Sequence, residues 1–153
     1  MLLAAVLSGC GSDSPDAPPT VGVQVTGQEV DLKPTQYCLD DEGKRYSVSP
    51  PIIEVSPDSP IIFTVPDAVA RQGWSVQVFD EKLEEKIGEV DVDSGQAVFD
   101  GITSSDVVPA AFYLVVVEDK GEQCEGFSGA WPVGFIRAGG DAGTDTGTPA
   151  PAG

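Results

Sequence analysis

The sequence predicts an all-β protein, an antiparallel immunoglobulin-like β-sandwich of about 7–9 strands. Three observations predict it. Apolar side chains recur with a period of two through most of the chain. Turn signals rich in Gly, Pro, Asp and Ser interrupt that pattern roughly every 8 to 12 residues. Only one short stretch carries a helical pattern, which leaves no crossover helices to build a parallel sheet.

The elements follow in order. Val21, Val23 and Val25 alternate with small or polar residues, Thr26-Gly27-Gln28 breaks the run, and Val30 and Leu32 resume it, which predicts a hairpin. A second turn falls at Asp40-Asp41-Glu42-Gly43. Ile52-Ile53-Glu54-Val55 and Ile61-Ile62-Phe63-Thr64-Val65 are β-branched runs separated by Ser56-Pro57-Asp58-Ser59-Pro60, a loop between strands. Pro66 to Arg71, closed by Gly73, allows one or two helical turns. Trp74, Val76 and Val78 share one face of the next strand. Lys86 to Val92 and Gln96 to Asp100 flank Asp93-Ser94-Gly95, read as a tight hairpin turn. Phe112 to Val117 is apolar on both faces, so it is expected to be a central strand, covered on both sides and the best buried segment. Trp131, Val133 and Phe135 alternate, with Pro132 restricting that strand to an edge or a bulge. The immunoglobulin arrangement of a Trp packed on an inter-sheet disulfide is only loosely echoed by Cys38, Trp74 and Cys124, whose spacings are longer.

The predicted organisation has four parts. Residues 1–9 read as a lipoprotein signal peptide, 10–20 as a lipid-anchored flexible tether, 21–138 as the β-sandwich domain and 139–153 as a disordered tail. Leu7-Ser8-Gly9-Cys10 resembles the lipobox of bacterial lipoproteins, and that resemblance implies cleavage before Cys10 and a diacylglycerol on its thiol. The apolar run ahead of it is short and lacks a Lys or Arg, so the true start is expected upstream. No run of 18 or more apolar residues follows, so the acyl chains are the expected membrane attachment, on the extracytoplasmic face of the cell membrane.

Charge and cysteines narrow the chemistry. Asp and Glu number 25 against 8 Lys and Arg, a net charge of -17, which excludes nucleic acid as a partner. The chain has no histidine, which removes Ser-His-Asp and Cys-His catalysis. With Cys10 acylated, Cys38 and Cys124 remain as an even pair in an oxidising compartment, where a disulfide is expected and two free buried thiols are the alternative. Two cysteines without histidine do not make a zinc site.

Two further stretches carry a resemblance. Leu32-Lys33-Pro34-Thr35-Gln36-Tyr37-Cys38, and Phe63-Thr64-Val65-Pro66-Asp67 leading to Gly73-Trp74-Ser75-Val76-Gln77-Val78, are similar to a group of actinobacterial lipoproteins, domain of unknown function 2771. The likeness spans roughly residues 20 to 138 and implies no activity. In that family the Pro-Thr-Gln-Tyr-Cys stretch is commonly followed by a nearby second cysteine, which is absent here.

Several residue groups are weighed as sites. Asp91-Val92-Asp93-Ser94-Gly95 resembles the start of a calcium loop, but Gln96 stands where the loop glycine belongs and no bidentate Glu follows, so a turn is expected and no metal. Glu81, Glu84 and Glu85 interleaved with Lys82 and Lys86 read as a solvated connection rather than a binding surface. Trp74 and Trp131 are expected in the core rather than lining a ligand groove. No pair of carboxylates is singled out for glycoside hydrolysis, and no phosphate-cradling or nucleophile motif occurs. The expectation is therefore a non-enzymatic, cofactor-free binding module of the cell envelope. Its partner would be an envelope protein or a wall polymer, met at sheet edges and loops, with its oligomeric state open. The alternative is a carrier or sensor of a small apolar or lipidic ligand, which needs an apolar pocket of several hundred Å³.

Overall fold

The computed structural model describes residues 18–39, 41–119, 124 and 128–138. The expected signal segment 1–9, Cys10, most of the tether and the tail 139–153 lie outside the described residues. The elements are β1 (Val21–Val25), β2 (Gln28–Leu32), β3 (Gln36–Leu39), β4 (Glu42–Arg45), β5 (Ile52–Val55), β6 (Pro60–Thr64), α1 (Asp67–Gln72), β7 (Trp74–Phe79), β8 (Lys86–Val92), β9 (Val98–Thr103), β10 (Ala111–Glu118) and β11 (Ala130–Arg137).

They form two sheets, ordered β2-β1-β6-β9 and β4-β3-β11-β10-β7-β8, with β5 added in parallel to β11 and every other pairing antiparallel. The fold is the expected all-β, sandwich-like one, but its described strands number eleven rather than 7–9. The excess lies around the second turn. β4 is exposed at all four positions and carries no alternation of its own; its pairing with β3, from Gln36↔Arg45 to Leu39↔Glu42, makes it a strand.

The first hairpin forms as its sequence requires. Thr26 (φ 48) and Gly27 (φ 76) both lie in the left-handed region, the geometry of a two-residue turn that matches strand twist, and Val25 pairs with Gln28 across it. Val21, Val23 and Val25 then face the core, where Phe63, Phe112, Trp131 and Phe135 fill the space between the sheets. Phe112 and Phe135 stack at 5.5 Å. In α1, Asp67 in the first turn and Arg71 in the last complement the helix dipole, and Gly73 (φ 94) returns its N–H to Val69 and Ala70.

Three expectations about strand placement are corrected. Asp93-Ser94-Gly95 is a turn but joins no hairpin, because β8 pairs with β7 and β9 with β6, in different sheets. The crossing is pinned by Gly95 donating to the Ala70 carbonyl (2.7 Å), by Trp74 Nε1 donating to Gln96 (2.8 Å) and by Val65 donating to Ala97 (2.9 Å). β10 is central, with Phe112, Leu114, Val116 and Glu118 buried on one face; on the other Val115 is buried too, but Tyr113 and Val117 beside it are partly open, so the cover on that side is incomplete.

Pro132 is likewise in a central strand, paired with Val115. The Ala130 carbonyl accepts from Thr35, and Gly134 donates to the Pro51 carbonyl, so the backbone of residue 132 points the same way by the period of two. On that side β3 pairs only at Ala130 and β5 begins only at Gly134. The proline therefore occupies a local gap where no described strand asks for its missing N–H.

Candidate functional site

β8 and β9 are the last strands of their sheets on the same side of the sandwich, and a groove of about 620 Å³ opens between them. Its floor is Val78 and Ile102, both buried, together with Gly88 and Gly101, one glycine on each strand. Its walls hold Ile87, Val90 and Val108, exposed by 46%, 38% and 90%. Large apolar side chains left in water next to one another make this groove the candidate binding surface.

The wall on the β8 side results from a bulge. Val78 pairs with Gly88 but Phe79 with Lys86, which leaves Ile87 as the extra residue and turns it out of the alternation. Beyond it Glu89 faces outward, held by Lys86 Nζ (3.0 Å), Gln77 Nε2 (3.1 Å) and Ser75 Oγ (3.0 Å). Those donors, the Lys86 ammonium first, keep its carboxyl below the usual range.

The opposite wall is the loop from Ser104 to Pro109, which is tied down along its length. Ser104 is buried and exchanges bonds with the 56–59 loop: its hydroxyl donates to Ser56 and accepts from the Ser59 N–H. Asp106 Oδ2 accepts from Thr103 N–H at 2.7 Å. Arg137 Nη1 donates to the carbonyls of Ser104 (2.7 Å) and Val107 (2.9 Å), and Nη2 to that of Val108 (3.1 Å). Val107 is thereby buried and Val108 projected into solvent as a fixed apolar knob.

A second depression, about 610 Å³ and polar, lies on the outer face near Trp74, Ser75, Asp91, Asp93 and Glu118. It is acidic, yet among the described residues no three Asp, Glu or Cys side chains gather as metal ligands. At this end of the sandwich burial first, then the neighbouring carboxylate of Glu118, raise the Tyr37 phenol above its ordinary pKa.

The residues predicted from sequence fall apart rather than together. Cys38 and Cys124 are joined by a disulfide with Cα atoms 6.1 Å apart, closing a loop of 86 residues of separation, and Cys10 lies outside the described residues. Trp74 and Trp131 are buried, with Trp131 Nε1 donating to the Pro19 carbonyl at 2.9 Å. Glu81, Lys82, Glu84 and Glu85 sit in an exposed loop, closed by Asp80 Oδ1 accepting the N–H groups of Glu84 and Glu85. Ile87, Gly88, Val90, Gly101 and Val108 were not singled out. The available signals were two apolar residues three apart in a strand, a glycine beside them, and adjacent valines before Pro109.

A family model described as protein of unknown function (DUF2771) matches residues 14–133. The chain belongs to that family. The DUF2771 match runs from ahead of β1 into β11, so every residue lining the groove falls within it. No curated protein and no solved structure matches the chain.

Proposed function

We propose that this DUF2771 protein is a lipid-anchored binding module of the cell envelope, held to the extracytoplasmic face of the membrane by acyl chains on Cys10. The apolar groove between β8 and β9 would be its contact surface. That groove is the observation on which the reading rests: it is fixed in shape, flanked by two strand edges and lined by exposed Ile87, Val90 and Val108. The Cys38–Cys124 disulfide agrees with an oxidising compartment, and Leu7-Ser8-Gly9-Cys10 supplies the anchor. Trp131 holds the chain at Pro19, nine positions after Cys10, so acyl chains on Cys10 would keep the domain within about 30 Å of the membrane. The module would act by binding, and the absence of histidine from the chain agrees with that reading.

The second reading, a carrier of an apolar or lipidic ligand, is favoured by the volume and lining of the same groove. Against it, the groove walls stay open to water and the space between the sheets is already filled by Phe63, Phe112, Trp131 and Phe135.

The test has two arms. Acyl labelling of the native chain, lost in Cys10→Ala, is expected; equal labelling of both, or of neither, removes the anchor. A photo-crosslinking residue placed at Val108 in intact cells is expected to capture a protein or wall polymer that the same residue placed at Glu42, on the exposed β4, does not. Adducts with lipid alone would favour the carrier.

A further inference from the structure

We propose that the β8–β9 groove is a docking slot for an extended, basic segment of a partner polypeptide, which adds to the free edge of β8 as one more strand. This rests on reading the groove as the binding surface.

Three observations select that occupant. The first is the edge itself. Among the described residues β8 has β7 on one side and no strand on the other, so every second residue turns its N–H and C=O away from the sheet toward whatever lies in the slot. The second is Gly88. A Cβ built there would meet nothing nearer than Val78 at 3.7 Å, an ordinary contact, and its φ is not in the left-handed region. Gly88 follows the bulged Ile87, but neither its φ nor its neighbours would exclude a larger side chain there. A bare backbone within a strand is what close approach by another backbone requires, whereas an acyl chain gains nothing from it.

The third is charge. The charged residues lining the slot are Asp106 and Glu89, the latter with its carboxylate turned outward and paired with Lys86, in a chain of net charge -17. Lys86, at the end of β8, is bonded to Glu89, and Arg137 aims its guanidinium at the loop carbonyls. An anionic lipid or a second copy of this chain brings negative charge against negative charge. A segment with apolar residues at alternate positions and Lys or Arg at its ends is steered in instead.

The experiment uses the full chain carrying Cys10→Ala, isotope-labelled for amide NMR. The probes are an end-capped Lys-Val-Thr-Val-Thr-Val-Lys peptide, the same peptide with Glu at both ends, a fatty acid and phosphatidylcholine vesicles. The lysine peptide is expected to shift the amides of residues 87–90 and 101–102, to slow exchange along β8 and to weaken with added salt. Binding is expected to fall at least about tenfold with the glutamate peptide, in Gly88→Val and in Val108→Lys. Val108 is so exposed that its variant keeps the fold even if Gly88→Val does not. Equal binding of both peptides, or of neither, overturns the proposal. Shifts from the fatty acid or vesicles alone overturn it while leaving the groove a binding site, and the same shifts on concentrating the chain alone would make the occupant a second copy.

Discussion

Arg137, the last residue of β11, donates from its guanidinium to the Ser104 carbonyl at 2.7 Å, and with two further bonds to Val107 and Val108 it sets the loop that walls the groove. A cation satisfied by carbonyls alone acts as a three-point clamp, and its planar fork is what lets one side chain reach all three.

Removing the clamp should therefore cost more than a surface arginine would. Arg137→Ala is expected to destabilise the fold by about 1.5–3 kcal/mol, the range for bonds to charged groups, read from the urea midpoint. Arg137→Lys should recover only part, because an ammonium cannot span the three carbonyls. A loss under about 0.5 kcal/mol would mean that the loop holds its shape without the guanidinium.

The disulfide gives a second prediction. Cys38 and Cys124 are separated by 86 residues, and closing so long a loop removes about 4–5 kcal/mol worth of unfolded-chain entropy in the chain-entropy model. The Cys38→Ala/Cys124→Ala double variant is expected to lose stability of that order, with a lowered Tm and no new alkylatable thiol at either position. A stable double variant would show that the described core alone suffices.

Two titrations act at opposite ends of the pH scale. Tyr37 is raised above 10.0 by burial and by Glu118, so the folded state holds its proton longer than the unfolded state. Its contribution is complete below pH 10.0 and is lost as pH rises beyond it, so Tyr37→Phe should flatten the alkaline limb of the stability curve. Asp80 is lowered from 3.8, chiefly by the N–H groups of Glu84 and Glu85, so its contribution is present above 3.8 and is lost as pH falls below it. Asp80→Asn should flatten the acid limb, and unchanged limbs in chemical denaturation would remove either assignment.

What could be read from the chain beforehand follows from which forces are local. The β1–β2 hairpin was legible because Thr26-Gly27 is a local turn signal between alternating valines, and the inward face of β11 because Trp131, Val133 and Phe135 repeat at two. β4 was not, since an exposed polar strand exists only through its partner. Which sheet a strand joins was also hidden: β8 and β9 adjoin in sequence yet part company because Gly95, Gln96 and Ala97 are bonded to Ala70, Trp74 and Val65. The groove is built from two such separated strands and a loop clamped by Arg137, so its residues converge only in three dimensions.

Pro132 affords the sharpest test of the sheet's local geometry. A proline within a paired central strand ordinarily removes a ladder bond, and on that reasoning Pro132→Ala should stabilise the protein. Here the backbone of residue 132 faces the gap between β3, which reaches only Ala130, and β5, which starts at Gly134. Alanine would place a new N–H at a buried position where no described strand offers a carbonyl, and it would also free the unfolded chain. Both effects have the same sign. Pro132→Ala is expected to cost about 1–2 kcal/mol by urea denaturation with an unchanged m-value. A gain in stability would show that β3 or β5 extends to meet residue 132 and that the gap is not part of the fold.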